Sequence, residues 1–237
     1  MSDWQPKRFW KMATATACDG GFEVLLDTRS VKTPAKAALR VPTLKMAQAI
    51  AAEWDAQGEL LDPATMPVTR GANAAIDKVS TQRAEVIGLL AEYGDSDLLC
   101  YRAAGPVELI KIQVEGWNPM LDWAAEMLDV RLSVGEGVMH VDQEPEALRK
   151  LHDEVAAFDD FALAAVHDLI SLSGSLVLAL AVTKAGIAAA DAWALSRIDE
   201  HWQITQWGED EEATAAETIK RAAFLDAARF YQLSLTL

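Results

Sequence analysis

The most apolar stretch of the chain is DLISLSGSLVLALAV, from Asp168 to Val182. Read as a helix, its leucines fall on one side and its other aliphatic residues fill the remaining sides. A helix that is apolar around its whole circumference is typical of a protein core. A membrane span needs about 20 apolar residues, and His167 and Asp168 end this run too early. The pattern therefore predicts a buried helix inside a longer one over residues 161–184, and no membrane span.

The N-terminal part has a different pattern, with short β-favouring segments separated by turn signals. FEVLLD over residues 22–27 partly alternates, and Cys18-Asp19-Gly20-Gly21 before it is a turn signal. Residues 8–41 are therefore predicted to form a small antiparallel β unit. Thr43 then fits the N-cap of an amphipathic helix that stops near Gly58.

Two prolines, Pro63 and Pro67, interrupt any regular helix after this point. We place the domain boundary there, which gives a β-rich domain over residues 1–65 with one helix and a helical domain over residues 66–237. The predicted fold class is α+β, a small antiparallel β-rich N-terminal domain followed by a mainly α-helical C-terminal domain.

Helical periodicity dominates the second domain. Helices are predicted over 70–79, 81–93, 106–128, 144–158 and 161–184, then from Asp191 to Trp207 and from Glu209 to the C-terminus. The apolar stripe of the last helix is Ile219, Ala223, Ala227 and Phe230, which predicts that this helix docks along its length. Residues 130–134 and 138–141 are predicted to form a short hairpin.

Composition narrows the class of protein. The chain has 237 residues, 51% of them hydrophobic, which suffices for a core in one large domain or two small ones. Its net charge of -15 and the absence of a basic cluster argue against nucleic acid and anionic membrane surfaces as partners.

Residues that would carry chemistry do not form a recognisable pattern. The two cysteines, Cys18 and Cys100, lack metal-ligand or disulfide spacing, and the four histidines show no zinc motif. Gly20-Gly21 is a turn and no phosphate-binding loop follows it. The residues by themselves therefore predict no readable catalytic, cofactor-binding or metal site.

The most unusual polar stretch lies near the C-terminus, RIDEHWQITQWGEDEE over residues 197–212. Acids in the first turn of a helix are stabilised by its dipole, and tryptophans often fill a core, so a purely structural role is possible. Four consecutive acids exceed what capping needs, however, and Trp is common in interface hot spots. The alternative is a partner-binding surface, whose candidate residues are Glu200, Trp202, Trp207, Glu209, Asp210, Glu211 and Glu212.

Seven blocks of the chain resemble one family, the ATP synthase assembly chaperones that act on the α subunit of the catalytic sector. The blocks are RFWK at 8–11, VKTPAK at 31–36, AAEWDAQ at 51–57, MPVTRGANAAID at 66–77, SDLLCYRA at 96–103, SLSGSLVLALA at 171–181 and AWALSRIDEHWQITQWGEDEEA at 192–213. Two positions differ from the usual pattern. Gly71 replaces an apolar residue, which lowers local helix stability, and Asn118 replaces an acid.

The resemblance implies a two-part, non-catalytic chaperone without a cofactor. Such a protein binds the unassembled α subunit, prevents its aggregation and shields the surface that the β subunit later covers. We expect a monomer. The expected compartment is the bacterial cytoplasm, because the N-terminus lacks a presequence pattern, whereas eukaryotic relatives work in mitochondria. Two other hypotheses stay open at this point, a metal-dependent hydrolase and a permanent structural subunit of a complex.

Overall fold

The computed structural model describes residues 7–235 and confirms the predicted α+β fold class. These residues divide into two compact units. The first comprises residues 7–83, 159–165 and 229–235, and the second comprises residues 84–158 and 166–228. The predicted boundary between residues 65 and 66 stays a prediction.

The first unit contains a four-stranded antiparallel sheet. Its strands are β1 (Ala13–Cys18), β2 (Gly21–Leu26), β3 (Arg29–Ser30) and β4 (Arg40–Val41). Strand β2 is central because it pairs with each of the other three. The predicted turn joins β1 to β2, and Gly20 adopts the positive φ of 84° that the turn requires. Val24 and Leu26 of β2 are buried.

Helix α1 (Leu44–Asp55) packs against β1 and β2. Thr43 is its N-cap, as predicted, and its hydroxyl accepts a hydrogen bond from the Met46 N–H at 3.1 Å. Ala47 and Ile50 of the predicted stripe are fully buried. Helix α2 (Pro67–Ala74) follows and continues into a π-helical turn over Ala75–Val79.

The second unit is mainly helical. Its helices are α3 (Arg83–Ala91), α4 (Val107–Met127), α5 (Pro145–Ala156), α7 (Leu176–Leu180), α8 (Ala189–Ser196) and α9 (Ile198–Trp207), together with most of α6 (Asp160–Ser173) and α10 (Glu211–Ser234). Trp117 of α4 belongs to the core and packs with Val177 and Leu178. No helix within residues 7–235 is long and apolar enough to cross a membrane.

The apolar stretch is buried, as predicted, but it is not one helix. Residues 176–182 are all buried, yet α6 ends at Ser173 and α7 begins at Leu176. Gly174 separates them with a φ of 73°, a left-handed conformation that glycine adopts without strain. Ser175 then caps α7 by accepting a hydrogen bond from the Leu178 N–H at 3.0 Å. The glycine and the two serines that flank it, Ser173 and Ser175, therefore lie at a break between two helices.

Asp97 forms hydrogen bonds with residues on the α7 side of this break. The residue is fully buried, and its carboxylate accepts hydrogen bonds from Ser175 Oγ at 2.8 Å and from the Val177 N–H at 3.0 Å. It also accepts from the Leu99 N–H at 3.0 Å. Burial raises the pKa of Asp97 to about 6, although its hydrogen bonds act in the opposite direction.

The predicted hairpin over residues 130–141 is wrong. The only strand in this segment of the described chain is β6 (Gly135–Glu136), which pairs in parallel with β5 (Tyr101–Arg102). Two short valine-containing segments on either side of Gly135-Glu136-Gly137 indicated a local hairpin, but the partner of β6 lies more than 30 residues earlier. Val138 is 94% exposed at the tip of the resulting loop.

The predicted helix over residues 191–207 is divided in the structure. Arg197 leaves helical geometry with a ψ of 17°, so α8 and α9 are separate helices. The predicted stripe of α10 is also wrong at its start, since Ile219 is 71% exposed while Ala227 and Phe230 are buried. Only the C-terminal half of α10 is docked.

Candidate functional site

Several polar residues of the seven blocks form hydrogen bonds with groups in other blocks. In the first unit, the Glu53 carboxylate accepts hydrogen bonds from the N–H groups of Val68 at 2.7 Å and Thr69 at 2.8 Å, so it caps the start of α2. The Asp77 carboxylate likewise accepts from Thr33 Oγ1 at 2.6 Å and from the Ala35 N–H at 3.0 Å. These hydrogen bonds stabilise the fold. The presence of Glu53 and Asp77 is therefore explained without a role in binding another protein.

The same holds for two further pairs of blocks. Arg8 Nη1 donates to the carbonyl oxygens of Asp55 at 2.8 Å and Gln57 at 2.7 Å, just after the end of α1. Asp97 and Ser175 bind each other in the second unit. The last block, residues 192–213, has not been accounted for by such hydrogen bonds.

Residues 198–222, which include the second part of this block, form a helical hairpin in which most residues are exposed. We call α9 together with residues 211–222 of α10 the acidic hairpin. None of residues 198–222 is buried. Short helices gain most of their stability from packing an apolar face, and this pair has no core on its outer side. The hairpin therefore presents helix faces to solvent that the described part of the chain leaves largely uncovered.

Its base is firmly attached to α4. Gln113 is fully buried and donates from Nε2 to Asp199 Oδ1 at 2.6 Å. Gly116 lies where a Cβ atom would come within 2.8 Å of Ile198 Cδ1, so a larger residue would require the Ile198 side chain to shift. The start of α9 is thus fixed, and the exposed part projects from a rigid base.

A groove of about 380 Å³ runs between α9 and α10. Its walls combine apolar and charged side chains from both helices, with Trp193 and Arg197 at the base. The lining residues are Trp193, Arg197, Glu200, Gln203, Ile204, Trp207, Gly208, Asp210, Ala213, Thr214, Ala216, Glu217 and Lys220. Trp207 is 80% exposed, so a large apolar surface stands open to solvent.

Charged contacts shape the hairpin. Arg197 Nη1 binds Glu200 Oε1 at 2.7 Å, and the Arg197 guanidinium stacks over the Trp193 ring at 5.0 Å. His201 Nε2 and Glu217 Oε1 lie 3.0 Å apart and join α9 to α10. Asp210 Oδ1 accepts from the Ala213 N–H at 2.8 Å and thereby caps α10.

The structure brings some of the predicted partner-binding residues together and leaves others outside the groove. Glu200, Trp207 and Asp210 line it, whereas Trp202 is half-buried and does not. The acids Glu209, Glu211 and Glu212 are exposed beside the turn between the helices. The assignment of these seven residues to partner binding stays a prediction.

Sequence reasoning missed the wall that α10 contributes. Ala213, Ala216 and Glu217 face the groove at a spacing of three and four residues, together with Ile204 of α9. The spacing of these residues indicates a common helix face. The sequence prediction missed this face because it placed the apolar stripe of α10 at Ile219, which does not line the groove and is exposed.

No group of three or more His, Cys, Asp or Glu side chains that could hold a metal ion occurs within residues 7–235. The acids of the hairpin are instead dispersed over its surface or engaged with Arg197, His201 and backbone N–H groups. What this arrangement offers is an apolar groove in an acidic surface, which suits binding of a polypeptide.

Comparison with known proteins identifies the family of the chain. The family model of the ATP12 chaperone protein matches residues 7–125. The mitochondrial protein atp12 of Schizosaccharomyces pombe is 26% identical over 219 residues, 87% of this chain and 75% of its own length. The Atp12 structure from Paracoccus denitrificans is 48% identical with a TM-score of 0.95, covering 98% of this chain and 100% of that one. The Atu1473 protein of Agrobacterium tumefaciens is 41% identical with a TM-score of 0.92, covering 98% of this chain and 87% of that one. The chain belongs to the ATP12 family of chaperones for ATP synthase assembly.

Proposed function

We propose that this protein binds the unassembled α subunit of ATP synthase through the acidic hairpin, prevents its aggregation and releases it for assembly of the catalytic sector. Family membership supports a role in ATP synthase assembly. The observation that carries the choice of surface is the absence of any buried side chain over residues 198–222, although the hairpin belongs to one of the seven blocks.

The proposal also makes the protein a non-enzyme that works by shielding. An unassembled subunit exposes the apolar surface that its neighbour will cover, and such surfaces drive aggregation. A chaperone with an open apolar groove competes for that surface without altering any covalent bond. The relatives are described as chaperones, which supports this role.

The direct test follows aggregation of purified α subunit diluted from denaturant without β subunit. We expect light scattering to fall in the presence of an equimolar amount of this protein, and adding β subunit to reverse the association. An unchanged scattering trace, together with no co-elution of the two proteins, would refute the proposal.

A charge-reversal variant locates the binding surface. Glu209, Glu211 and Glu212 are changed to Lys, while Asp210 is retained because it caps α10. We expect weaker binding of the α subunit by a variant that is still folded, with only a small fall in its unfolding temperature because Glu211 and Glu212 lie in the first turn of α10. The control variant carries Glu108→Lys, Asp122→Lys and Glu126→Lys, three exposed acids of α4, and therefore has the same net charge. Equal binding by both variants would contradict the assignment of the hairpin.

We further propose that the protein acts as a monomer in the bacterial cytoplasm. The relatives from Paracoccus denitrificans and from mitochondria fit this setting. Light scattering coupled to size exclusion gives the mass of the free protein, and cell fractionation gives its compartment. Persistent co-purification with the complete ATP synthase would instead indicate a permanent subunit.

A further inference from the structure

The groove of the acidic hairpin has features that select the kind of segment it accepts. Each wall extends over about ten residues, from Arg197 to Trp207 on α9 and from Asp210 to Lys220 on α10. At 1.5 Å per residue the groove is about 15 Å long, which corresponds to roughly three helical turns. Ala213 and Ala216 carry only methyl groups, so a segment can approach the α10 wall closely.

The walls favour a helical segment over an extended one. Both walls are helices, whose backbone N–H and C=O groups are already bonded within α9 and α10. An extended segment would bring unpaired backbone groups into the groove, where burial without hydrogen bonds is costly. A helix arrives with its backbone satisfied and can place side chains three and four residues apart along the groove.

The negative charge of the surface favours a bound segment that carries basic side chains. Residues 197–220 contain seven acidic and two basic side chains, and the whole chain has a net charge of -15. One of the two basic residues, Arg197, is already paired with Glu200. A second copy of this chain would bring the same negative charge to the groove and is disfavoured for that reason.

The base of the groove adds a polar feature. Trp193 is 2% exposed and lines the groove, and its buried indole N–H has no hydrogen-bond acceptor. Its ring centroid lies 5.5 Å from that of Phe224 and 5.0 Å from the Arg197 guanidinium. The apolar side chains of the groove that a bound segment can contact are therefore Trp207 and Ile204.

We propose that the groove between α9 and α10 receives an amphipathic helix of the client, with aliphatic residues at three- and four-residue spacing flanked by lysine or arginine. This inference rests on the proposed function, since it specifies which part of a client the acidic hairpin holds. The aliphatic side chains contact Trp207, Ile204 and the two alanines, and the basic side chains contact the acids on the rim.

The test uses three labelled synthetic peptides of 16 residues and the full-length protein. The first has leucines at helical spacing with lysine flanks, the second has glutamate in place of each lysine, and the third has a central proline that prevents a helix. Fluorescence anisotropy should show binding of the first peptide, with affinity at least about tenfold higher than for the other two. Its affinity should fall as salt rises from 50 to 500 mM.

Two matched variants show whether the groove is the site. Ala216→Trp fills the groove, whereas Ala215→Trp places the same side chain on an exposed neighbouring position that does not line it. We expect at least about tenfold weaker peptide binding for the first variant and less than twofold change for the second. Thermal unfolding of both variants establishes that the fold is retained.

Several outcomes would overturn the inference. They are no binding of the lysine peptide, equal binding of the glutamate or proline peptide, equal effects of the two tryptophan variants, and a dimer of the free protein that Ala216→Trp abolishes. If the protein suppresses aggregation of the α subunit while the peptide fails to bind, the inference falls and the proposed function stands. If the α subunit is not bound at all, the proposed function falls whatever the peptide does.

Discussion

Asp97 gives a sharp test of how the second unit is held together. Its carboxylate is fully buried and accepts hydrogen bonds from the Leu99 N–H, Ser175 Oγ and the Val177 N–H. The pKa of the carboxyl is raised from 3.8 to about 6, with burial as the main cause. Between these two values the folded protein binds a proton that the unfolded chain has released.

Because the folded-state pKa of Asp97 is raised, its contribution to stability is fully present below pH 3.8 and is lost as the pH rises through 6. A shift of this size corresponds to about 3 kcal/mol in the free energy of unfolding at 1.36 kcal/mol per pKa unit. Asp97→Asn cannot titrate. We therefore expect the free energy of unfolding of the natural protein, minus that of Asp97→Asn, to fall by about 3 kcal/mol between pH 3.5 and pH 7.

The measurement is urea unfolding followed by tryptophan fluorescence at a series of pH values. Subtracting the variant removes the titration of the other carboxylates, which both proteins share. The control is Glu126→Gln, an exposed residue of α4, for which the same difference should show no comparable fall. A difference between the natural protein and Asp97→Asn that is constant with pH would refute the reasoning. A difference that rises with pH would show that the hydrogen bonds outweigh burial.

Three further changes test particular packing and backbone features by urea or thermal unfolding. Gly71→Ala would place a Cβ atom 2.9 Å from the Phe230 ring, so we expect the free energy of unfolding to fall by about 1 to 3 kcal/mol. If the double variant Gly71→Ala, Phe230→Leu is no more stable than Gly71→Ala alone, the clash with the ring is not the cause. Thr43→Ala removes the cap of α1 and should cost about 1 kcal/mol, whereas Thr43→Ser should retain most of it. Gly174→Ala meets no close neighbour but must adopt a φ of 73°, so a cost of about 1 to 2 kcal/mol is expected, and an unchanged stability would show that the break tolerates other conformations.

The elements that sequence predicted correctly depend on local signals. The Cys18 to Gly21 turn and the Thr43 cap each involve neighbouring residues, so their chemistry is readable along the chain. The burial of residues 176–182 was equally readable because the stretch has no polar side to expose. The errors occurred where a distant residue decides. Strand β6 pairs with β5, and no local pattern near Val138 encodes that partner.

The candidate site was only half predictable for the same reason. The acids and tryptophans of residues 197–212 stand out in the sequence by composition alone. Whether they face a core or solvent depends on what packs against them, and only the structure shows that Trp207 is 80% exposed while Trp193 is 2% exposed. The α10 wall of the groove was missed because a stripe of alanines resembles a packing face as much as an open one.

By itself, the sequence determined the class of elements, the apolar segment at the core and the acidic, tryptophan-containing stretch, since each follows from residue type and spacing. The tertiary structure decided where that apolar segment breaks and which helix faces stay uncovered. The break at Gly174 depends on Asp97, which is almost 80 residues away in the chain and binds both Ser175 and the start of α7. Periodicity records which residues could be buried, whereas burial itself requires a second surface, and over residues 198–222 the described chain buries no residue completely.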